Sequence, residues 1–162
     1  MKKKFLYFII IFIMLLSGSM MCLSFSSLSF AQDSEKEYVS IPILMYHSVL
    51  KSKKGTYCVT PSMLEDDIKY LKNHGYEAIF VQDIIDYCQN KKELPKKPVV
   101  LTFDDGHYNN YFYAYPIIEK YNFKANLNVI GCFSEYSTSS GDIDNPNYSY
   151  LTWSEIKTLH DS

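Results

Sequence analysis

VVLTFDDGHYNN, residues 99–110, sets two aspartates side by side at the end of a run that reads as a buried strand. A glycine follows at once. Two adjacent carboxylates at a strand end are costly unless a cation or a proton offsets their repulsion. Neighbours on a regular strand point to opposite faces, so Asp104 and Asp105 reach one pocket only if the backbone bends. Gly106 permits that bend. One carboxylate could then bind a divalent metal while the other takes a proton from the metal's water. The competing reading is plainer: Asp105 caps the following helix and Asp104 is solvated. Spacing alone leaves both open.

Outward from this stretch, strand-like and helix-like segments alternate. Residues 41–49 (IPILMYHSV) are apolar and compatible with a strand. Thr60-Pro61 opens a helix, with Thr as N-cap and Pro at the first helical position. Leu64, Ile68 and Leu71 fall on one face of it, and Gly75 ends it. Residues 76–81 read as a second strand, 83–89 as a short helix and 98–103 as the third strand. A helix over 110–121 follows, with Pro116 kinking it or marking a later start. Residues 125–132 read as a fourth strand and 134–150 as a long loop. Thr152-x-x-Glu155 is a capping box that begins a last helix. Such alternation implies a parallel sheet with crossover helices, either doubly wound or a barrel. In these folds the ligand site lies beyond the carboxyl ends of the strands, where Asp104 and Asp105 sit.

Composition bounds the function classes. All 16 cationic side chains of the 162 residues are Lys, against 18 acidic ones. Without a basic stripe or an Arg fork, nucleic-acid binding has little electrostatic support. Lys2, Lys3 and Lys4 form a positive start, Phe5 to Leu16 an apolar core, and Ser29-Phe30-Ala31 a small-x-small cleavage site before Gln32. Residues 1–31 are therefore a signal peptide or an N-terminal membrane anchor through residues 5–25, since no charge falls between Phe5 and Gln32. Removing them leaves 13 Lys against 18 acidic residues, a net charge of −5. Residues 32–40 read as a linker and 41–162 as the folded domain. Cys58, Cys88 and Cys132 form no C-x-x-C pair and read as small buried hydrophobes rather than a zinc knuckle or disulfide framework.

The string Thr102-Phe103-Asp104-Asp105-Gly106 resembles the first motif of the polysaccharide deacetylases, carbohydrate esterase family four. IPILMYHSV, VVLTFDDG, YAYPIIEKYNFKAN and LTWSEIK all occur in that family's order and spacing. The resemblance runs from about Ile41 to the last residue. It implies an α/β fold, the N-terminal part of a distorted (β/α) barrel. It also implies a secreted or cell-surface, metal-dependent hydrolase that removes acetyl groups from N-acetylglucosamine units in peptidoglycan, chitin or a related polymer. Carried over, Asp104 is the general base and Asp105 a ligand of a divalent metal, zinc by preference.

Two further metal ligands in the family come from a His-Ser/Thr-x-x-His motif, and no pair among His47, His74, His107 and His160 has that spacing. The family's base-orienting arginine and its general-acid histidine are absent too. The chain thus reads as the front half of a deacetylase, truncated at the C-terminus. His47, Gly106 and His107 are candidates for the pocket. His47 is as well explained as a hydrogen-bonded structural residue, and His107 as a solvent-facing loop residue. His74 and His160 sit near helix ends. Tyr108, Tyr111, Phe112, Tyr113 and Tyr115 could stack on sugar rings, yet packing accounts for most of them. Asn126 and Asn128 replace the Thr and Phe of the family and put polar groups on a strand expected to be buried. A non-catalytic carbohydrate-binding remnant and a non-functional truncation stand as the alternatives.

Export is the first expected outcome: mass spectrometry of the mature protein finds Gln32 at the N-terminus if the leader is cleaved. Recovery of a soluble, cytosolic chain retaining Met1–Ala31 contradicts the reading.

Overall fold

The structure is a computed structural model that describes residues 38–52, 55–141 and 144–162. Contacts separate Met1–Val39 from Ser40–Ser162, and the fold below is that of the second unit. The leader or anchor expected over 1–31, and most of the linker expected over 32–40, lie outside the described residues. Among the described residues no helix is long and apolar enough to cross a membrane.

A parallel sheet is built around β5 (Pro98–Phe103). Its register places β1 (Ile43–Tyr46) on one edge, against Val100 to Phe103. The other edge is shared: β4 (Glu77–Ile79) pairs with Pro98 to Val100 and β6 (Asn126–Leu127) with Thr102 and Phe103. All pairings are parallel, as the alternation of strands and helices requires. The third long strand lies between the first two rather than beyond them. A second, two-stranded parallel sheet joins β2 (Ser48–Val49) to β3 (Cys58–Val59), a pairing that no sequence period announces.

Packing follows the period of two. Val99, Leu101 and Phe103 point to one side of β5, where they meet Tyr46, Leu64, Ile68, Ala114 and Ile118 in the main core. Val100 is buried on the opposite side. On β1 the same alternation sends Leu44 and Tyr46 into the core. Ile43 and Met45 point to the other face, where each is 59% exposed.

The helices form where capping chemistry permits. α1 (Pro61–Asn73) starts under Thr60, whose hydroxyl accepts from the Met63 N–H at 3.2 Å. It ends at Gly75, at φ +75°. α2 (Val81–Cys88) begins two residues earlier than its sequence suggests. The Asp83 carboxylate reaches back to accept from the Phe80 N–H at 2.8 Å, which draws Val81 into the first turn.

The helix expected over 110–121 is interrupted. Residues Asn110–Ala114 form a π-helical turn, and α3 (Tyr115–Lys120) continues it. Pro116 has no N–H and its ring crowds the carbonyl four residues back, and the widened turn accommodates both.

Two expectations fail in the C-terminal third. The fourth strand is only the two residues of β6, and Gly131–Ser140 is a helix, α4, where a strand end and a loop were expected. Its composition, rich in Ser and Thr, argues against helix on propensity. Tertiary burial overrides that: Ser134 and Ser137 are buried, and Thr138 donates to the Ser134 carbonyl at 2.8 Å. The cysteines also differ from expectation. Cys88 and Cys132 are exposed on helices and Cys58 is half-buried, all three as free thiols. α5 (Trp153–Asp161) has the expected capping box, with Thr152 and Glu155 bonded reciprocally.

In strand β6 the Asn126 side chain bonds sideways to both neighbours. Asn126 Oδ1 accepts from the Val81 N–H at 3.1 Å and Nδ2 donates to the Leu101 carbonyl at 3.2 Å. One side chain thus staples the start of α2 to β5. Asn126→Leu removes both bonds, and the expected result is a loss of about 1–3 kcal/mol. A lower urea midpoint at unchanged slope measures it.

Candidate active site

Beyond the carboxyl end of β5 the chain turns through two successive residues in the left-handed region, Asp105 at φ +72° and Gly106 at φ +71°. This is the bend that two neighbouring carboxylates need to share one mouth. For Asp105 the conformation is uncommon and carries strain. For Gly106 it is compulsory on a second ground. A Cβ there would lie 3.1 Å from Val129 Cγ1 and 3.3 Å from Val129 Cα, so the turn packs against the backbone that leaves β6.

The two carboxylates are held differently. The Asp104 N–H donates to the Tyr46 carbonyl at 2.8 Å, continuing the β1–β5 ladder by one residue. Its Oδ1 accepts from Asn128 Nδ2 at 2.8 Å. Asn128 itself is fixed by its N–H, which donates to the Phe103 carbonyl at 2.9 Å. Asp105 faces the histidines: its Oδ2 lies 4.0 Å from His47 Nε2 and 3.7 Å from His107 Nε2. His47 lies between the end of β1 and the start of β2 and leans on Tyr57 with ring centroids 5.0 Å apart. His107 stacks on Tyr150, also at 5.0 Å. Burial pushes the His107 imidazole below its usual range; the Asp105 charge works against that shift and His47 reinforces it.

A polar frame holds the rim. Asn109 is buried, takes the Val49 N–H on Oδ1 at 2.9 Å and gives Nδ2 to the Pro146 carbonyl at 3.1 Å. The Leu151 N–H donates to the Gly106 carbonyl and the Tyr108 N–H to the Ser149 carbonyl, each at 2.9 Å. The loop before α5 is therefore laced to the aspartate turn.

The structure brings together Asp104, Asp105, Gly106, His47 and His107. It keeps His74 apart, against Tyr70 on α1. His107 is stacked and partly covered rather than facing solvent. Of the five aromatics in the helix after the turn, Tyr108 is buried while Phe112 is half exposed. Sequence reasoning missed two contributors. In the sequence Asn128 reads as a poor core residue, and Asn109 gives no signal of its own.

Asp105, His47 and His107 do not compose a finished metal centre. Zinc ligated at about 2.0–2.1 Å holds its donors closer together than these gaps. Among the described residues no group of three His, Cys, Asp or Glu side chains is arranged to hold an ion.

A family profile described as polysaccharide deacetylase matches residues 91–162. Over those residues the chain is similar to the polysaccharide deacetylases. A Bacillus subtilis protein carrying a polysaccharide deacetylase name is 36% identical over 91 residues, 56% of this chain and 32% of that protein. A poly-beta-1,6-N-acetyl-D-glucosamine N-deacetylase of Escherichia coli is 27% identical over 105 residues, 62% of this chain and 16% of that one. The fold resembles that of a Streptococcus pyogenes deacetylase solved with acetate, at TM-score 0.62 and 30% identity over 76% of this chain and 53% of that one. The chain thus spans about a third or less of these two curated relatives and about half of the solved one.

Replacing Gly106 with Ala tests the turn. The added methyl meets Val129 and the left-handed backbone disfavours it, so the expected cost is about 1–3 kcal/mol. Thermal unfolding measures it, and an unchanged midpoint contradicts the packing described.

Proposed function

We propose that this chain supplies the N-terminal part of a secreted or cell-surface hydrolase that removes N-acetyl groups from a polysaccharide containing N-acetylglucosamine. The observation that carries the reading is the Asp104 carboxylate, which is held on one oxygen by Asn128 at 2.8 Å and stands beside Asp105 at the mouth of the strand. A base tethered by one oxygen keeps the other to take a proton from water as that water attacks the acetamide carbon. The attacking oxygen adds to the carbon, the carbon–nitrogen bond breaks as the nitrogen takes up the proton that left the water, and acetate and a free amine result. Asp105 presents the second carboxylate expected by the family resemblance as a metal ligand. His47 and His107 border it, with their rings fixed by Tyr57 and Tyr150. The remaining ligands implied by the resemblance are not among the described residues. The E. coli relative, named for poly-beta-1,6-N-acetyl-D-glucosamine, supports the substrate class.

Acetate release from an N-acetylglucosamine oligomer with added zinc is the test. The 162-residue chain by itself is expected to release none. Joined to the part of the Streptococcus pyogenes deacetylase that follows its matched region, it is expected to turn over, and Asp104→Asn in this chain's portion to reduce the rate at least 100-fold, the low end of what a general base contributes (~10²–10⁴). Turnover that survives Asp104→Asn sinks the assignment. Oligomer binding without acetate in either form favours a carbohydrate-binding role, to which the exposed rings of Tyr57 and Tyr148 lend support.

A further inference from the structure

Helix α4 is inside out. Its buried residues are serines, Ser134 at 1% and Ser137 at 2% exposure, while Phe133 and Tyr136 stand 40% and 67% exposed. A surface helix ordinarily turns its apolar residues to the core and its polar ones to water. Loose packing does not explain the inversion, because α5 holds the helix in place. Trp153 Nε1 donates to Glu135 Oε2 at 2.8 Å, and the Trp153 N–H donates to Thr138 Oγ1 at 3.0 Å. Glu135 is the one charged residue of α4, and the indole engages it.

The exposed rings continue a row that starts at the aspartate turn. His107, whose Nε2 is 3.7 Å from Asp105 Oδ2, stacks on Tyr150 with centroids 5.0 Å apart. Tyr150 in turn meets Phe133 at 4.5 Å. Tyr136 lies three residues further along α4 and so neighbours Phe133 on the helix surface. Cover falls away along the row: His107 and Tyr150 are half-buried, whereas Phe133 and Tyr136 are open.

We propose that Phe133 and Tyr136 form a track for the polysaccharide, on which the sugar units next to the one at Asp104 stack. An exposed aromatic ring offers an apolar face to the C–H face of a pyranose, and the sugar hydroxyls stay in water. The serines and threonine around the rings supply neutral hydroxyl partners, so the strip suits an uncharged polymer. Continuity with His107 ties the track to the aspartate turn and makes the protein read several units at once. The inference rests on the substrate class proposed above for the identity of the polymer, and on α4 for the place where it binds.

Isothermal titration calorimetry of the 162-residue chain with N-acetylglucosamine oligomers of increasing length is the test. Affinity is expected to rise with length. Tyr136→Ala removes an exposed ring that the core does not use, and is expected to weaken binding of the longest oligomer about tenfold at unchanged Tm. Tyr136→Phe keeps the ring and is expected to bind as the parent does. Equal affinity for Tyr136→Ala and the parent overturns the proposal, as does an affinity indifferent to length or a parent that binds no oligomer. So does a dimer of the chain that Phe133→Ala disperses, which assigns the ring face to a second copy. Acetate release enters none of these readouts, so the track and the hydrolase reading fail separately.

Discussion

Strand β5 is hydrogen-bonded on both edges and apolar on both faces as far as Leu101, and that arrangement leaves polar side chains only one outlet, its carboxyl end. A buried parallel strand cannot host a carboxylate without a partner, so the charge is held back until Asp104, one residue past the ladder. The backbone then has to leave the sheet without colliding with β6. Two left-handed residues achieve this, and the contact between Gly106 and Val129 shows how little clearance remains. The position of the candidate base, the direction of Asp105 and the start of the following helix all descend from how this strand is terminated.

Much of this is written locally. The run from Pro98 to Phe103 is continuous and bounded, and its limits coincide with the strand. Thr60-Pro61 and Thr152-x-x-Glu155 specify helix starts through hydrogen bonds made within four residues, which is why both were legible. What was not legible depends on distant partners. The pairing of Ser48–Val49 with Cys58–Val59 involves two residues a side, too few to show a period. Helix α4 forms against its own propensity because its serines are buried by the rest of the fold. The placement of β5 between β1 and β4 is a choice among crossovers that no segment encodes alone.

The asparagines of β6 show how a sequence signal can be detected and assigned the wrong meaning. Polar residues on a strand next to the core suggested defective packing. In the structure Asn126 stays in the ladder and adds side-chain hydrogen bonds to Val81 and Leu101, and Asn128 reaches Asp104. The polarity belongs to the site and to its frame. Asp104 and Asp105 themselves were identifiable from type and position, whereas the partners that orient them come from a strand about twenty residues downstream and needed the register of β6 to be known.

The alternation of β1 sends Ile43 and Met45 away from the core, and each stays more than half exposed although Val100 on the same face is buried. A thioether so placed is open to oxidants, and its conversion to the sulfoxide turns an apolar side chain into a polar one. Met45 is accordingly a chemical footprint built into the first strand: its rate of sulfoxide formation under dilute peroxide reports how long that face of the sheet stays accessible to solvent.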